Sequence, residues 1–387
     1  MLDTTDFPVK WMHSHMPRAP MLNGTPGALI SLLDAFLVTG WGAMTPQRVN
    51  VVDGIATVTC SAGDTFEQHM VIDVAGADDA ALCGQARVLT STSTSFTFAT
   101  AATNGLKTGA ITIKAAPAGW QKNFSGAEKA VYKSTDPQAH GFMLRIDDSG
   151  AQKALVRGYA AMDDVDTGGG AFPAEGKDFY WHKSNTVGAA PVRYDLAADS
   201  RFVMYADQPE STSFNTPLNA MINGFGDPIA VHPAGDVWCT CLCASGTNRD
   251  NSGGMACNRG ISNLDSKICA GGIDGNGVET MCGFYSFCGD SSVSGSNNQY
   301  LARPDTNGRI MLSGKYVVDS QQFLRGVAPG VYSVPQKNIL SVAAPRDTLR
   351  VDIQGHQHIM LALPVSNAYL HTVPQGLVFI DITGPWR

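Results

Sequence analysis

The sequence carries little charge. Asp, Glu, Lys and Arg make up 16% of 387 residues, below the figure of about a quarter usual in soluble proteins. Low charge with 41 glycines suits a chain that buries much of its surface against other subunits, although a neutral β protein has the same composition. Cation clusters are missing too. Net charge is −7 and no run of Lys or Arg occurs, so nucleic-acid binding by counterion release has no footprint. No apolar run is long enough to cross a bilayer: the longest, over residues 28–38, contains Asp34. Residues 1–24 lack the apolar segment of a secretion signal. These absences predict a chain made in the cytosol, without direct nucleic-acid contact or membrane insertion.

Familiar catalytic motifs are also missing. There is no Gly-x-Ser-x-Gly elbow, phosphate-binding loop or His-Glu-x-x-His helix. The carboxylate groups are Asp147-Asp148 and Asp163-Asp164-x-Asp166. Glycoside hydrolysis uses two carboxyl groups facing one bond, but neighbours on a strand point to opposite faces. The expectation is that both groups serve turns, accepting local backbone N–H bonds. Calcium at Asp163, Asp164 and Asp166 is the competing reading. Asp274-Gly275-Asn276-Gly277 with Glu279 lacks the ligand count and glycine spacing of a calcium loop and reads as a turn. His13-Ser14-His15 and His356-Gln357-His358 each offer two imidazoles without an evident third ligand. The first reads as part of a solvated arm, the second as a packed or exposed pair. No catalytic, cofactor or metal residue is assigned.

Cysteine is what the sequence does have. The nine are Cys60, Cys83, Cys239, Cys241, Cys243, Cys257, Cys269, Cys282 and Cys288, and all are disulfide candidates. The last seven share one window, and no Cys-x2-Cys pair of the kind zinc prefers occurs. On a strand, Cys239, Cys241 and Cys243 would share a face, suited to partners on other strands or chains. Free buried thiols and a metal site are the alternatives. Cys60 and Cys83, on strands of one small module, are candidates for a mutual bond. An odd count leaves at least one thiol without an internal partner.

The chain reads as mostly β, in several small sandwich- or barrel-like modules with one N-terminal helix. Residues 1–48 form an arm and that helix, 49–117 a small inserted β module, and 118–387 a main β domain with a Cys-rich loop region at 235–290. Thr25 is placed to cap the helix and Pro26 in its first turn. Leu29, Leu32, Leu33, Phe36 and Leu37 form its apolar stripe, and Gly40 its stop. Short alternating strands are expected around residues 51–60, 70–74, 86–89, 95–98 and 110–113. More follow at 130–133, 142–146, 154–159, 179–182, 202–206 and 237–243, then at 283–287, 309–312, 349–353, 359–363 and 377–382. A short helix is expected at 162–166, and loops at 244–260 and 271–277. If the module is an insertion, the helix before it should touch residues beyond 118.

Several stretches resemble a known family. Pro20-Met21-Leu22-Asn23-Gly24-Thr25-Pro26-Gly27 leads into Leu33-Asp34-Ala35-Phe36-Leu37. Ala118-Gly119-Trp120, Lys129-Ala130-Val131-Tyr132, Leu144-Arg145-Ile146-Asp147-Asp148 and Val156-Arg157-Gly158-Tyr159 follow. Met162-Asp163-Asp164-Val165-Asp166-Thr167-Gly168, Tyr180-Trp181, Lys183-Ser184 and Gly224-Phe225-Gly226-Asp227 complete the set. Together, over residues 20–230, they resemble uncharacterised virion structural proteins of tailed bacteriophages. The 49–116 block, with Asp53-Gly54-Ile55-Ala56-Thr57 and Leu82-Cys83-Gly84, resembles small β modules of phage heads and tails. The Cys-rich stretch after 235 departs from that pattern. The resemblance implies a neck, collar or tail-associated component, located in the virion, whose partners are copies of itself and other virion proteins. The alternatives are a receptor-binding tail protein, contacting a host glycan through Tyr285, Tyr300 and Asn297-Asn298, and a tail-borne glycan hydrolase.

Overall fold

A computed structural model describes residues 7–208, 220–230, 238–244, 267–272, 283–285, 310–318, 324–336, 338–353, 355–365 and 376–387. The protein is mostly β; the described residues form several sheets, one helix and two short 3-10 turns. The expected loops at 244–260 and 271–277 fall almost wholly outside the described residues, as do Asp274, Glu279, Tyr300 and Asn297-Asn298.

The helical segment opens with Ala28–Leu33 and continues as a π-helix over Asp34–Thr39. Its apolar stripe is as the spacing requires: Leu29, Leu32, Leu33, Phe36 and Leu37 are all fully buried. Its cap is not Thr25, whose hydroxyl bonds to Asn23 Oδ1 at 2.6 Å. Gly27, with φ +76°, is the N-cap and has no side chain to offer. The carboxylate of Asp148 takes that role, accepting the N–H groups of Leu29 and Ile30 at 2.8 and 3.2 Å. At the other end, the Phe36 and Leu37 carbonyls accept N–H bonds from Ala118 and Gly119.

An eight-stranded antiparallel sheet is drawn wholly from residues 41–115. Its first strand, Trp41–Met44, pairs with its last, Gly109–Ala115, so the chain leaves beside where it arrived. The helix before this sheet packs on residues after it. Tyr132 donates to Asp34 at 2.8 Å, and Lys122 reaches the same carboxylate. Arg48–Val52 and Ile55–Thr59 form a hairpin through Asp53 and Gly54, both at positive φ, the turn geometry that an Asp-Gly pair favours.

Among the described residues, the rest is built mainly of three further sheets. A five-stranded meander runs Trp120–Gly126, Lys129–Ser134, Met143–Asp147, Lys153–Tyr159 and Phe179–His182. A seven-stranded sheet centres on Gly188–Ala198, Phe202–Gln208 and Met221–Gly226 and gains Lys10–His13 at its edge. The two pack through aromatic side chains: Trp120 and Phe172 on Phe225, and Trp181 on Tyr205. A second seven-stranded sheet includes Leu324–Ser333, His356–Val365 and Gly376–Asp381. Buried apolar side chains from Val9 to Trp386 join in one core.

Three expectations are corrected. The N-terminal stretch is not a solvated arm: Lys10–His13 is a strand with all four residues buried, and Leu22–Gly24 also pairs. Residues 162–166 are not helical. Ala161–Met162 and Gly168–Gly169 form a small hairpin. Residues 309–312 are not a strand where described; the strand is Ser313–Val318.

Candidate functional site

The N-terminal strand, the inserted sheet and the C-terminal sheet meet at a cleft of about 420 Å³. Trp11 and His13 come from the first, Glu67, Gln68, His69 and Ser91 from the second, and Arg346, Thr348, Leu361 and Ile382 from the third. Strand register explains the floor. His13 lies opposite Asp195, and alternation puts Trp11 and His13 on one face.

His13 accepts the His15 backbone N–H on Nδ1 at 3.2 Å, leaving Nε2 to donate to Glu67 Oε2 at 3.0 Å. Burial pushes the Glu67 pKa up, but the hydrogen bond from His13, with the charge of Arg346, outweighs it, and the net shift is downward. Arg346 pairs with Asp195, which also accepts from Gln208 Nε2 at 3.3 Å. Burial first, and then the charges of Arg87 and Arg350, lower the His69 pKa to about 4, so its imidazole is neutral at neutral pH. Both His69 and Arg346 have φ near +75°. Non-glycine residues seldom adopt that region, and such strain concentrates at functional sites.

The same joint clamps the inserted sheet to the body. Besides His13–Glu67, Arg18 Nη2 donates to the Asp64 carbonyl at 3.1 Å. Buried Arg87 donates to the carbonyls of His69 and Thr383 at 3.1 and 3.2 Å.

The carboxylates singled out in the sequence are divided between different partners. Asp148 is buried against Lys183, while Asp147 bonds Ser149 and faces Arg145. They do not share a cleft. Asp164 accepts the N–H groups of Asp166 and Thr167, both at 2.7 Å, and Asp166 pairs with Lys129 and Arg145. That is a turn held by ion pairs. His356 is exposed, whereas His358 is buried and bonds Asp381 at 2.8 Å, a partner across the sheet that local sequence did not offer. Among the described residues no cluster of three or more His, Cys, Asp or Glu is arranged for a metal. No helix among them is long and apolar enough to cross a membrane.

Cys60, Cys83 and Cys241 carry free thiols, and the Cys243 thiol is turned toward the Ile222 carbonyl. The candidate bond between Cys60 and Cys83 is therefore not formed. Cys60 is buried beside Arg18 and Asp64, and Cys83 is exposed with its thiol toward the Ala77 carbonyl. Cys241 and Cys243 are buried in strand Trp238–Ala244. Burial, and then the charge of Asp227, pushes the Cys241 thiol up to about 12, where it is inert. Cys239 and Cys269 lie on strands whose side chains there are outside the description, and Cys257, Cys282 and Cys288 lie outside the described residues.

Sequence reasoning missed Trp11, Glu67, His69 and Arg346 as a group. They sit far apart in the chain, and only the sheet junction unites them. Fold and cleft together define a multi-sheet β protein with an inserted β module locked at a polar joint. The chain matches no protein-family model and no curated protein.

Proposed function

We propose that this protein is a structural component of a tailed-phage virion, associated with the neck, collar or tail, and that it assembles into a symmetric multimer with copies of itself and other virion proteins. The observation that carries this reading is the outward face of the inserted sheet. Val52, Ile55 and Leu106 are 56%, 37% and 60% exposed. Ile55 lies opposite Val52, and Leu106 opposite Asn50, so alternation sets all three on one face. Covering the exposed part of such side chains stabilises by roughly 1 kcal/mol each, and contiguous exposed apolar patches mark interaction surfaces. The clamped joint supports the same reading, because a docking module must transmit load to the body. Low charge and the family resemblance agree with it. Disulfide reinforcement stays in this proposal only for Cys239, Cys257, Cys269, Cys282 and Cys288.

Sedimentation velocity of the full chain, beside a Val52→Asp/Leu106→Asp variant, tests this. The expected result is a multimer of fixed size for the natural chain and smaller species for the variant, with unchanged circular dichroism. A natural chain that stays monomeric at all concentrations rejects self-assembly.

A second reading, glycan binding at the host surface, is favoured by the cleft. Trp11 offers a ring, and Glu67, Gln68 and Arg346 offer donors and acceptors close together. The isolated protein should then compete with particles for host cells.

A further inference from the structure

Asp148 and Lys183 lie away from both the cleft and the outward face. Asp148 directly follows strand Met143–Asp147, and Lys183 directly follows strand Phe179–His182. Both side chains are completely buried. Lys183 Nζ is in hydrogen-bond contact with Asp148 Oδ1 and with the Thr25 carbonyl. The other carboxylate oxygen, Oδ2, accepts two backbone N–H groups, from Leu29 at 2.8 Å and Ile30 at 3.2 Å. An amine thus touches one oxygen of a carboxyl group, in a site closed to water, with two donors on the other oxygen, the one that would gain charge.

We propose that Asp148 and Lys183 condense into an intramolecular isopeptide bond. Shift of one proton along the Nζ–Oδ1 contact turns the ion pair into a neutral amine and a neutral acid. Burial favours that form. It raises the Asp148 pKa and lowers that of Lys183, in each case against the opposing pull of the partner. Nζ then attacks Cγ of Asp148. The tetrahedral adduct carries its negative charge on Oδ2, where the Leu29 and Ile30 N–H groups hold it, as an oxyanion hole does. One Nζ proton passes to Oδ1, the Cγ–Oδ1 bond breaks, and water leaves. The product is an amide whose remaining N–H donates to the Thr25 carbonyl. Amine plus acid gives amide plus water, with no oxidant or reductant. The preset geometry replaces the bimolecular encounter that makes such condensations slow in solution. The bond closes a loop between two strand ends of the five-stranded meander and pins the helix start to it, which constrains the unfolded chain as any internal crosslink does. This inference does not depend on the particle role.

Intact-mass spectrometry of the purified full chain tests it, followed by tryptic mapping. The expected mass is that of the sequence less one water, with a branched peptide linking Asp148 to Lys183. Lys183→Arg, which keeps the charge, should restore the full sequence mass. Asp148→Asn should lose one ammonia instead of one water. Recovery of the natural chain at full sequence mass, with Asp148 and Lys183 in separate linear peptides, overturns the proposal. So does a dehydrated chain whose branched peptide maps elsewhere.

Discussion

At the scale of single residues, His69 concentrates several costs in one place. Its backbone is left-handed, its carbonyl accepts from Arg87, and burial with two nearby guanidinium charges holds its pKa at about 4, down from 6.5. Between those values the unfolded chain binds a proton that the folded chain refuses. Stability therefore rises with pH across that window and falls as acid is added. Urea midpoints measured from pH 6.5 down to 4 should drop for the natural chain and drop less for His69→Gln. Glu67 also loses stability in acid, but its pKa is lowered from 4.5, so its loss falls below most of this window. Equal slopes for the two chains would show that His69 stays solvated. Nothing local in the sequence marks His69. Its perturbation comes first from burial, then from the charges of Arg87, on a strand of the same inserted sheet, and of Arg350, which the C-terminal sheet brings up.

At the scale of elements, close packing depends on a few small residues. Gly158 and Phe172 exchange backbone hydrogen bonds at 2.8 and 2.9 Å, and a Cβ on Gly158 would stand 2.1 Å from the Phe172 ring. That ring stacks on Phe225 and meets Phe142 edge-on. Gly158→Ala should therefore displace the ring and cost about 1–3 kcal/mol by overpacking, read as a lower urea midpoint with a changed near-ultraviolet circular dichroism. An unchanged midpoint would mean that the ring moves freely. Strands with one wet face, such as Ile55–Thr59, Ser95–Ala99 and Lys153–Tyr159, were legible because apolar and polar residues alternate. Gly188–Ala198, the longest strand among the described residues, was not. It buries Arg193 and Asp195, and Asp195 is satisfied by Arg346, far away in the chain, and by Gln208, so its sequence does not look like a core strand. Lys10–His13 escaped notice for the same reason. The helix stripe was readable, but its cap was not, because Asp148 lies 119 residues from Leu29. The Asp163–Thr167 turn was mistaken in part for a helix because its carboxylates suit a first helical turn as well as a turn of a hairpin.

At the scale of the whole molecule, sheets drawn from distant parts of the chain share one core, and the inserted sheet is locked to it by His13–Glu67, Arg18–Asp64 and Arg87–Thr383. Such a body leaves Val52, Ile55 and Leu106 uncovered. The polar cleft could not be foreseen from motifs, since each lining group is ordinary in its own segment. The central proposal for the molecule is its incorporation into a phage particle. Electron cryomicroscopy of purified phage particles, with this chain tagged at a terminus, measures that directly. It should show the tag at one fixed level of the neck, collar or tail, repeated with the symmetry of that level. Particles that lack the chain altogether, while the free protein persists as a monomer in the lysate, would contradict it.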